Sequence, residues 1–228
     1  MIGDLSTSGT TTIACPIRVL PDAISFILEA AAGKSVLNVG AAGGVEGYLP
    51  ANKDVWLHHR LCKVAKELVG IDIDRKGIGW AAQHGVNILE ANCESMNLGR
   101  QFDIIVMSDV IEHVNAPGLA VQTLVSHLRP SGRLLITTPN PTHYATIVRA
   151  ILGNAQNVYY DHVGCFMPEH VQALCNRFGY SLTAVYFFGH IDRRTWGTRF
   201  KSYVSLFIGT RMKRLHGWFL AVVEPGNR

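Results

Sequence analysis

No apolar run in the 228 residues is long enough to span a bilayer, and no signal peptide opens the chain. Cys-x-x-Cys spacing is also missing. The five cysteines, Cys15, Cys62, Cys93, Cys165 and Cys175, are odd in number and scattered. That pattern argues against a disulfide framework and for reduced, mostly buried thiols in a cytoplasmic protein. Charge is sparse, at 17% against 48% hydrophobic residues, which excludes a disordered chain. The net charge of +4 permits an anionic partner without demanding one. Internal repeats and low-complexity tracts are absent as well. The length suits a single α/β domain over 1–228, with a flexible N-terminal segment at 1–14.

What is present is an alternation. An Ala-rich helix following Pro21-Asp22 and stopped by Gly33 precedes an apolar strand at Ser35–Val39. Further strands are predicted at 68–73, 86–90, 102–107 and 133–137. Between them lie a polar loop at 45–53 and helices at 54–67, 76–84 and 119–128. A turn at 129–132 precedes the fifth strand, which Pro139 and Pro141 break. Beyond Asn140 the pattern loosens into helices at 142–152 and Pro168–Phe178, a strand at Ser181–Phe188 and a last strand at 218–223. Strands and helices alternating in this way predict a parallel sheet with both faces covered.

The first strand runs directly into Gly40-Ala41-Ala42-Gly43-Gly44, a turn with almost no side chains. Such a turn lets a ligand approach the backbone at the carboxyl end of a strand, although a tight strand-to-helix turn without any ligand has the same composition. Two acidic residues, Asp72 and Asp74, end the second strand. Asn92-Cys93-Glu94 follows the third. Phe102-Asp103-Ile104-Ile105-Val106-Met107-Ser108-Asp109 continues into Val110-Ile111-Glu112-His113, with Leu128-Arg129-Pro130-Ser131-Gly132-Arg133-Leu134 and Thr137-Thr138-Pro139-Asn140 behind it.

In this order the segments resemble the class I S-adenosylmethionine-dependent methyltransferases, over roughly Val36 to Val223. The resemblance implies a Rossmann-like α/β fold: a seven-stranded, mostly parallel sheet with an antiparallel last strand and helices on both faces. It implies S-adenosylmethionine as cofactor, held by Asn38, Gly40, Ala42, Gly44, Asp72, Asn92, Cys93 and Ser108. The family usually has an acidic residue where this chain has Asn38, and glycine where it has Ala42; Asn38 can still accept a hydrogen bond from an ammonium group. Asp72 would take the ribose hydroxyls, and Asn92 with the Cys93 backbone would take adenine. Cys93 itself reads as a small packing residue.

Asp109-x-x-Glu112-His113 sits at the end of the fourth strand, where its spacing brings the two carboxylates to one face. With Tyr160-Asp161-His162-Val163-Gly164-Cys165-Phe166 downstream, it is similar to segments of the ubiquinone-biosynthesis O-methyltransferases and the plant-type small-RNA 2′-O-methyltransferases. The resemblance implies Asp109, Glu112, His113 and His162 as ligands of Mg²⁺ or Mn²⁺. Without a metal, His113 or His162 would be the general base. The expected reaction is O-methylation of a small molecule or glycan. A metal-free N- or C-methyltransferase and a non-catalytic cofactor-binding module are the alternatives.

The basic segment 190–216 contains Arg193, Arg194, Arg199, Lys201, Arg211, Lys213 and Arg214. An aromatic-apolar stripe of Phe200, Tyr203, Val204, Leu206 and Phe207 accompanies them. It is expected as a helix inserted between the last two strands with a solvated basic face. An anionic-substrate grip and a peripheral membrane contact come next. No RNA-binding module or stacking platform is recognisable, which leaves nucleic acid a minority partner.

Overall fold

The computed structural model describes residues 9–156, 158–189 and 196–226. Part of the N-terminal segment 1–14, together with His190, Arg193 and Arg194 of the basic segment, lies outside them. Among the described residues, eight strands form one sheet: β1 (Ile17–Val19), β2 (Ser35–Val39), β3 (Glu67–Asp72), β4 (Leu89–Glu90), β5 (Phe102–Ser108), β6 (Leu128–Pro139), β7 (Ser181–Phe188) and β8 (Trp218–Glu224). Their spatial order is β1-β7-β8-β6-β5-β2-β3-β4. β8 pairs antiparallel with both β6 and β7, and every other pairing is parallel.

The inserted antiparallel last strand matches the expectation, while the strand count corrects it from seven to eight. The added strand, β1, is three residues long, too short for a periodic signal. Two other strands also differ from expectation. β4 is only two residues long, because the Val86 N–H closes back onto the Ala81 carbonyl and joins no ladder. β6 extends back to Leu128 through the expected turn. Its register against β5 shifts between Leu128 and Arg133, and a Cβ on Gly132 would lie 2.9 Å from the Phe102 carbonyl oxygen. Glycine therefore lets the bulge lie flat on β5.

Helices cover both faces. β2 is buried throughout, and its residues alternate between two cores. Val36 joins Ile104, Val106 and Leu135 beneath α1 (Ala23–Ala31) and α3 (Leu57–Val64). Leu37 and Val39 join Ile105, Met107, Leu134 and Ile136 beneath α5 (Pro117–Ser126) and α7 (Pro168–Phe178). α1 begins where Asp22 accepts from the Ile24 and Ser25 N–H groups at 3.0 and 3.2 Å. The expected polar loop at 45–53 contains a single helical turn, α2 (Val45–Tyr48), and the helix at 54–67 shortens to α3 behind a 3₁₀ turn at Lys53–Val55. α4 (Arg75–Gln83) follows β3, and α6 (Tyr144–Ile151) follows β6.

The basic segment does form a helix between the last two strands, α8 (Trp196–Arg211). Arg199 and Arg211 lie over the Tyr203 and Phe207 rings, both exposed. Behind the helix, buried Asn140 donates to the Arg214 and His216 carbonyls, each at 2.7 Å, and ties the chain back to the end of β6. The buried His216 ring packs against Gly209 so closely that a Cβ there would collide with it. Gly209→Ala is therefore expected to lower stability by about 1–3 kcal/mol through overpacking. Denaturant melts would show this as a lower midpoint with an unchanged slope.

Candidate cofactor and catalytic site

The parallel strands run outward in both directions from the boundary between β2 and β5. Open α/β sheets bind ligands at such a reversal, beyond the carboxyl ends of the strands. A cavity of about 600 Å³ lies there. It is lined along one wall by Asn38, Gly40, Ala41 and Gly43, and further on by Asp72, Asn92 and Cys93. Ser108, Asp109 and His113 line the side under β5.

The glycine turn is shaped by its neighbours. Gly40 has φ +72°, and a Cβ built on it would sit 2.5 Å from Val110 Cγ2. Ala42 and Gly44 are not among the cavity-lining residues. Ala42 donates its N–H to Asp72 Oδ2 at 2.7 Å, and Gly44, with φ +67°, starts α2. Their part is indirect: Ala42 fixes a carboxylate that faces the cavity. The other oxygen of Asp72 accepts from Ile73 and Asp74 N–H groups at 2.7 and 3.0 Å. The carboxylate is thus held in place, and Oδ2, which takes a single N–H bond, keeps a lone pair for a hydroxyl donor.

Asn92 Oδ1 accepts from the Glu94 N–H at 2.8 Å, and Glu94 in turn accepts from the Asn115 N–H at 2.7 Å. This braces the loop after β4 against the segment after β5. Cys93 is buried, and burial, with the Glu94 charge adding to it, pushes its thiol up to about 11. It is a packing thiol, as expected, and no nucleophile.

The β5 end divides in two. Ser108 Oγ lies 2.9 Å from Thr137 Oγ1, and Asp109, at φ +51°, is bonded to the same threonine through its backbone and carboxylate. One turn later, Glu112, His113 and His162 bring one ligand atom each to within 4.8 Å of one another. Asp109 is not part of that group, so the structure assembles three of the four expected ligands. Its left-handed backbone turns it toward Thr137 instead.

Glu112 is 2% exposed. Thr138 donates to its Oε2 at 2.9 Å, while buried Oε1 has no partner among the described residues. Burial chiefly, with Asp109 and Asp161 nearby, pushes its carboxyl up to about 7. The Glu112 carbonyl accepts from both Val163 and Gly164 N–H groups at 2.9 Å, which lays the His162 segment beside it. The His113 and His162 rings meet edge to face at 4.6 Å. Burial and the neighbouring His113 hold His162 below its ordinary value.

Two residues here carried no recognised signal in the sequence, and a third, Asp161, lies in the segment singled out beside His162 but had no role assigned to it. Asp161 lines the cavity with its carboxylate 3.2 Å from His113 Nδ1. Trp56 donates from Nε1 to the Ala41 carbonyl at 3.2 Å, bracing the glycine turn. His58 lines the cavity and pairs with Asn38 at 3.1 Å.

A turn whose Gly40 has no room for a Cβ, a tethered carboxylate one strand over and a polar loop beyond it have the arrangement of a nucleotide-cofactor pocket on an open α/β sheet. The family model described as a methyltransferase domain matches residues 16–185. The chain belongs to this family, the class I S-adenosylmethionine-dependent methyltransferases.

Among curated proteins, the ubiquinone biosynthesis O-methyltransferase of Aromatoleum aromaticum is 25% identical over 163 residues, covering 65% of this chain and 64% of that enzyme. Its counterpart from Rickettsia conorii is 32% identical over 75 residues, covering 32% of this chain and 26% of that enzyme. The match thus falls short of two-thirds of the length of either relative. Among solved structures, a SAM-dependent methyltransferase from Archaeoglobus fulgidus aligns with a TM-score of 0.57 at 16% identity, covering 87% of this chain and 89% of that one. The N-methyltransferase NodS from Bradyrhizobium japonicum, in complex with S-adenosyl-L-homocysteine, aligns with a TM-score of 0.54 at 16% identity, covering 90% and 86%. At that identity these two likenesses speak to fold alone.

Proposed function

We propose that this chain methylates a hydroxyl oxygen of a small molecule or glycan, with S-adenosylmethionine as donor and a divalent cation held by Glu112, His113 and His162. The observation that carries the reading is buried Glu112 Oε1, without a partner among the described residues, in a cluster with two imidazoles beside the cavity. A buried carboxylate oxygen without a donor is costly, and a cation would satisfy it. The curated relatives named O-methyltransferases support oxygen as the acceptor atom. One carboxylate and two imidazoles, with Asp109 engaged elsewhere, suit Mn²⁺ better than Mg²⁺, which prefers all-oxygen sites.

The cofactor supplies an electrophilic sulfonium methyl group. Gly40, Asp72 and Asn92 position it along the strand ends, and most of the rate gain is orientation of donor and acceptor. The cation would lower the pKa of an acceptor hydroxyl. In the metal-free reading, His113, oriented by Asp161, takes the hydroxyl proton. The five thiols, all free, fit a reducing, cytoplasmic setting. Among the described residues no helix is long and apolar enough to cross a membrane. The basic residues of α8 are read as solvated, with an anionic-substrate grip as the next reading and a peripheral membrane contact after it.

Labelled S-adenosylmethionine and a panel of hydroxylated small molecules and glycans provide the assay. Excess EDTA is expected to reduce transfer by about tenfold or more, with recovery on adding Mn²⁺. Glu112→Ala and His162→Ala should behave like the chelated enzyme. Full turnover in EDTA, with both variants active, would overturn the metal and leave His113 as the base. Transfer only to amines would overturn the oxygen acceptor.

A further inference from the structure

The cavity crosses the strand ends in the order β4, β3, β2, with Asn92 after β4, Asp72 on β3 and Asn38 on β2. Granting the cofactor reading above, adenine lies over Asn92 and the ribose over Asp72. The amino-acid end of the cofactor then falls toward β2. Charged carboxylate and ammonium groups need polar partners there.

Asn38 and His58 are polar residues that this part of the wall buries, at 3% and 5% exposure. Several features combine to place the His58 ring. Asn38 Nδ2 lies 3.1 Å from His58 Nδ1. Gly70 is the register partner of Asn38 on β3, and a Cβ on it would fall 2.5 Å from His58 Cε1 and 3.0 Å from Ala41 Cβ. Trp56, anchored on the Ala41 carbonyl, lies with its ring centroid 5.2 Å from that of His58. Burial holds His58 down to about 4, so the imidazole is neutral at physiological pH. An amide donor at Nδ1 leaves the ring proton on Nε2, a tautomer assigned from this bond.

We infer that His58 is a specificity-determining residue that donates its Nε2–H to the carboxylate of the cofactor's amino-acid end, with Asn38 as the positioning residue that fixes the donating tautomer. A neutral donor in a buried wall favours an anionic oxygen without leaving an unpaired buried charge when the cavity is empty of ligand. The missing side chain at Gly70 on β3 leaves room for this ring as well as for Ala41.

The test is calorimetric binding of S-adenosylhomocysteine and of 5′-methylthioadenosine, which keeps the nucleoside and lacks the carboxylate and ammonium. His58→Asn reaches only the Nδ1 position, whereas His58→Gln reaches the Nε2 position. His58→Asn is expected to weaken S-adenosylhomocysteine about tenfold, the loss of one charge-assisted hydrogen bond, and to leave methylthioadenosine unchanged. His58→Gln should recover most of that loss. His58→Leu, an apolar side chain of similar volume without a donor, is a second donor-free variant should His58→Asn fail to fold. Equal losses for both ligands, or no loss of S-adenosylhomocysteine, would overturn the assignment. A wild-type protein that binds neither ligand would overturn the cofactor reading beneath it.

Discussion

Gly40→Ala is expected to weaken S-adenosylmethionine binding by about a hundredfold, a result readable by calorimetry. Two costs meet at this position. Holding alanine at φ +72° costs roughly 1 kcal/mol through the clash of Cβ with the following carbonyl. Setting that Cβ 2.5 Å from Val110 Cγ2 adds roughly 1–3 kcal/mol of overpacking. The chain relieves both by moving the turn off its native path, and the cavity wall moves with it. Gly33 separates the two costs, since it has nearly the same backbone, φ +69°, with nothing within 4 Å of the added Cβ. Gly33→Ala should therefore lose stability and keep its affinity. Gly40→Ala combined with Val110→Ala should regain part of the lost binding. Unchanged affinity in Gly40→Ala would show that the turn does not touch the cofactor.

The pH dependence of folding is expected to tilt in opposite directions in His58→Gln and Glu112→Gln, each by about 3 kcal/mol relative to the wild type. Burial lowers His58 from 6.5 to about 4. Between those values the unfolded chain binds the extra proton, so this stability is present above pH 6.5 and lost as the pH falls toward 4. Glu112 has the reverse sign. Burial raises it from 4.5 to about 7, the folded chain binds the extra proton, and its contribution is present below pH 4.5 and lost as the pH rises toward 7. Through pH 4.5–6.5 the two slopes oppose each other. His58→Gln should therefore gain relative stability in acid, and Glu112→Gln should become acid-labile. His143 and His216, both lowered by burial, add an acid-labile background common to both variants. Urea melts across pH 4–8 in EDTA measure the slopes, and parallel curves for the two variants would contradict the assignment.

Legibility from the sequence followed the range of the interactions involved. Ser35–Val39, Pro168–Phe178 and Ser181–Phe188 have in the structure the bounds their own apolar periodicity and caps predicted. Gly40, Asp72, Asn92 and Ser108 could be placed because strand ends bring them to one edge of the sheet whatever the packing. The errors lie where tertiary contacts override local pattern: β4 shortened by a bond back to α4, and β6 extended across a bulge that depends on Gly132 meeting β5. In the site, Asp109 and Glu112 satisfy the spacing for a shared face, yet the positive φ of Asp109 sends it to Thr137. His58 lies 20 residues from Asn38 and shares no motif with it. Only the pairing of β2 with β3, which sets Gly70 beside Asn38, shows why an imidazole belongs there.

The place of β8 in the sheet has a consequence for biosynthesis. It is the last of the eight strands to leave the ribosome, and it fills the gap between β6 and β7 with hydrogen bonds on both sides. Until residue 224 emerges, both neighbours carry an open apolar edge, and β1 can join only β7. The half of the sheet that holds Asp72 and Gly40 can assemble earlier from local parallel crossovers. The other half waits on contacts of long sequence separation, which makes a nascent chain stalled short of β8 the form most exposed to edge-to-edge aggregation.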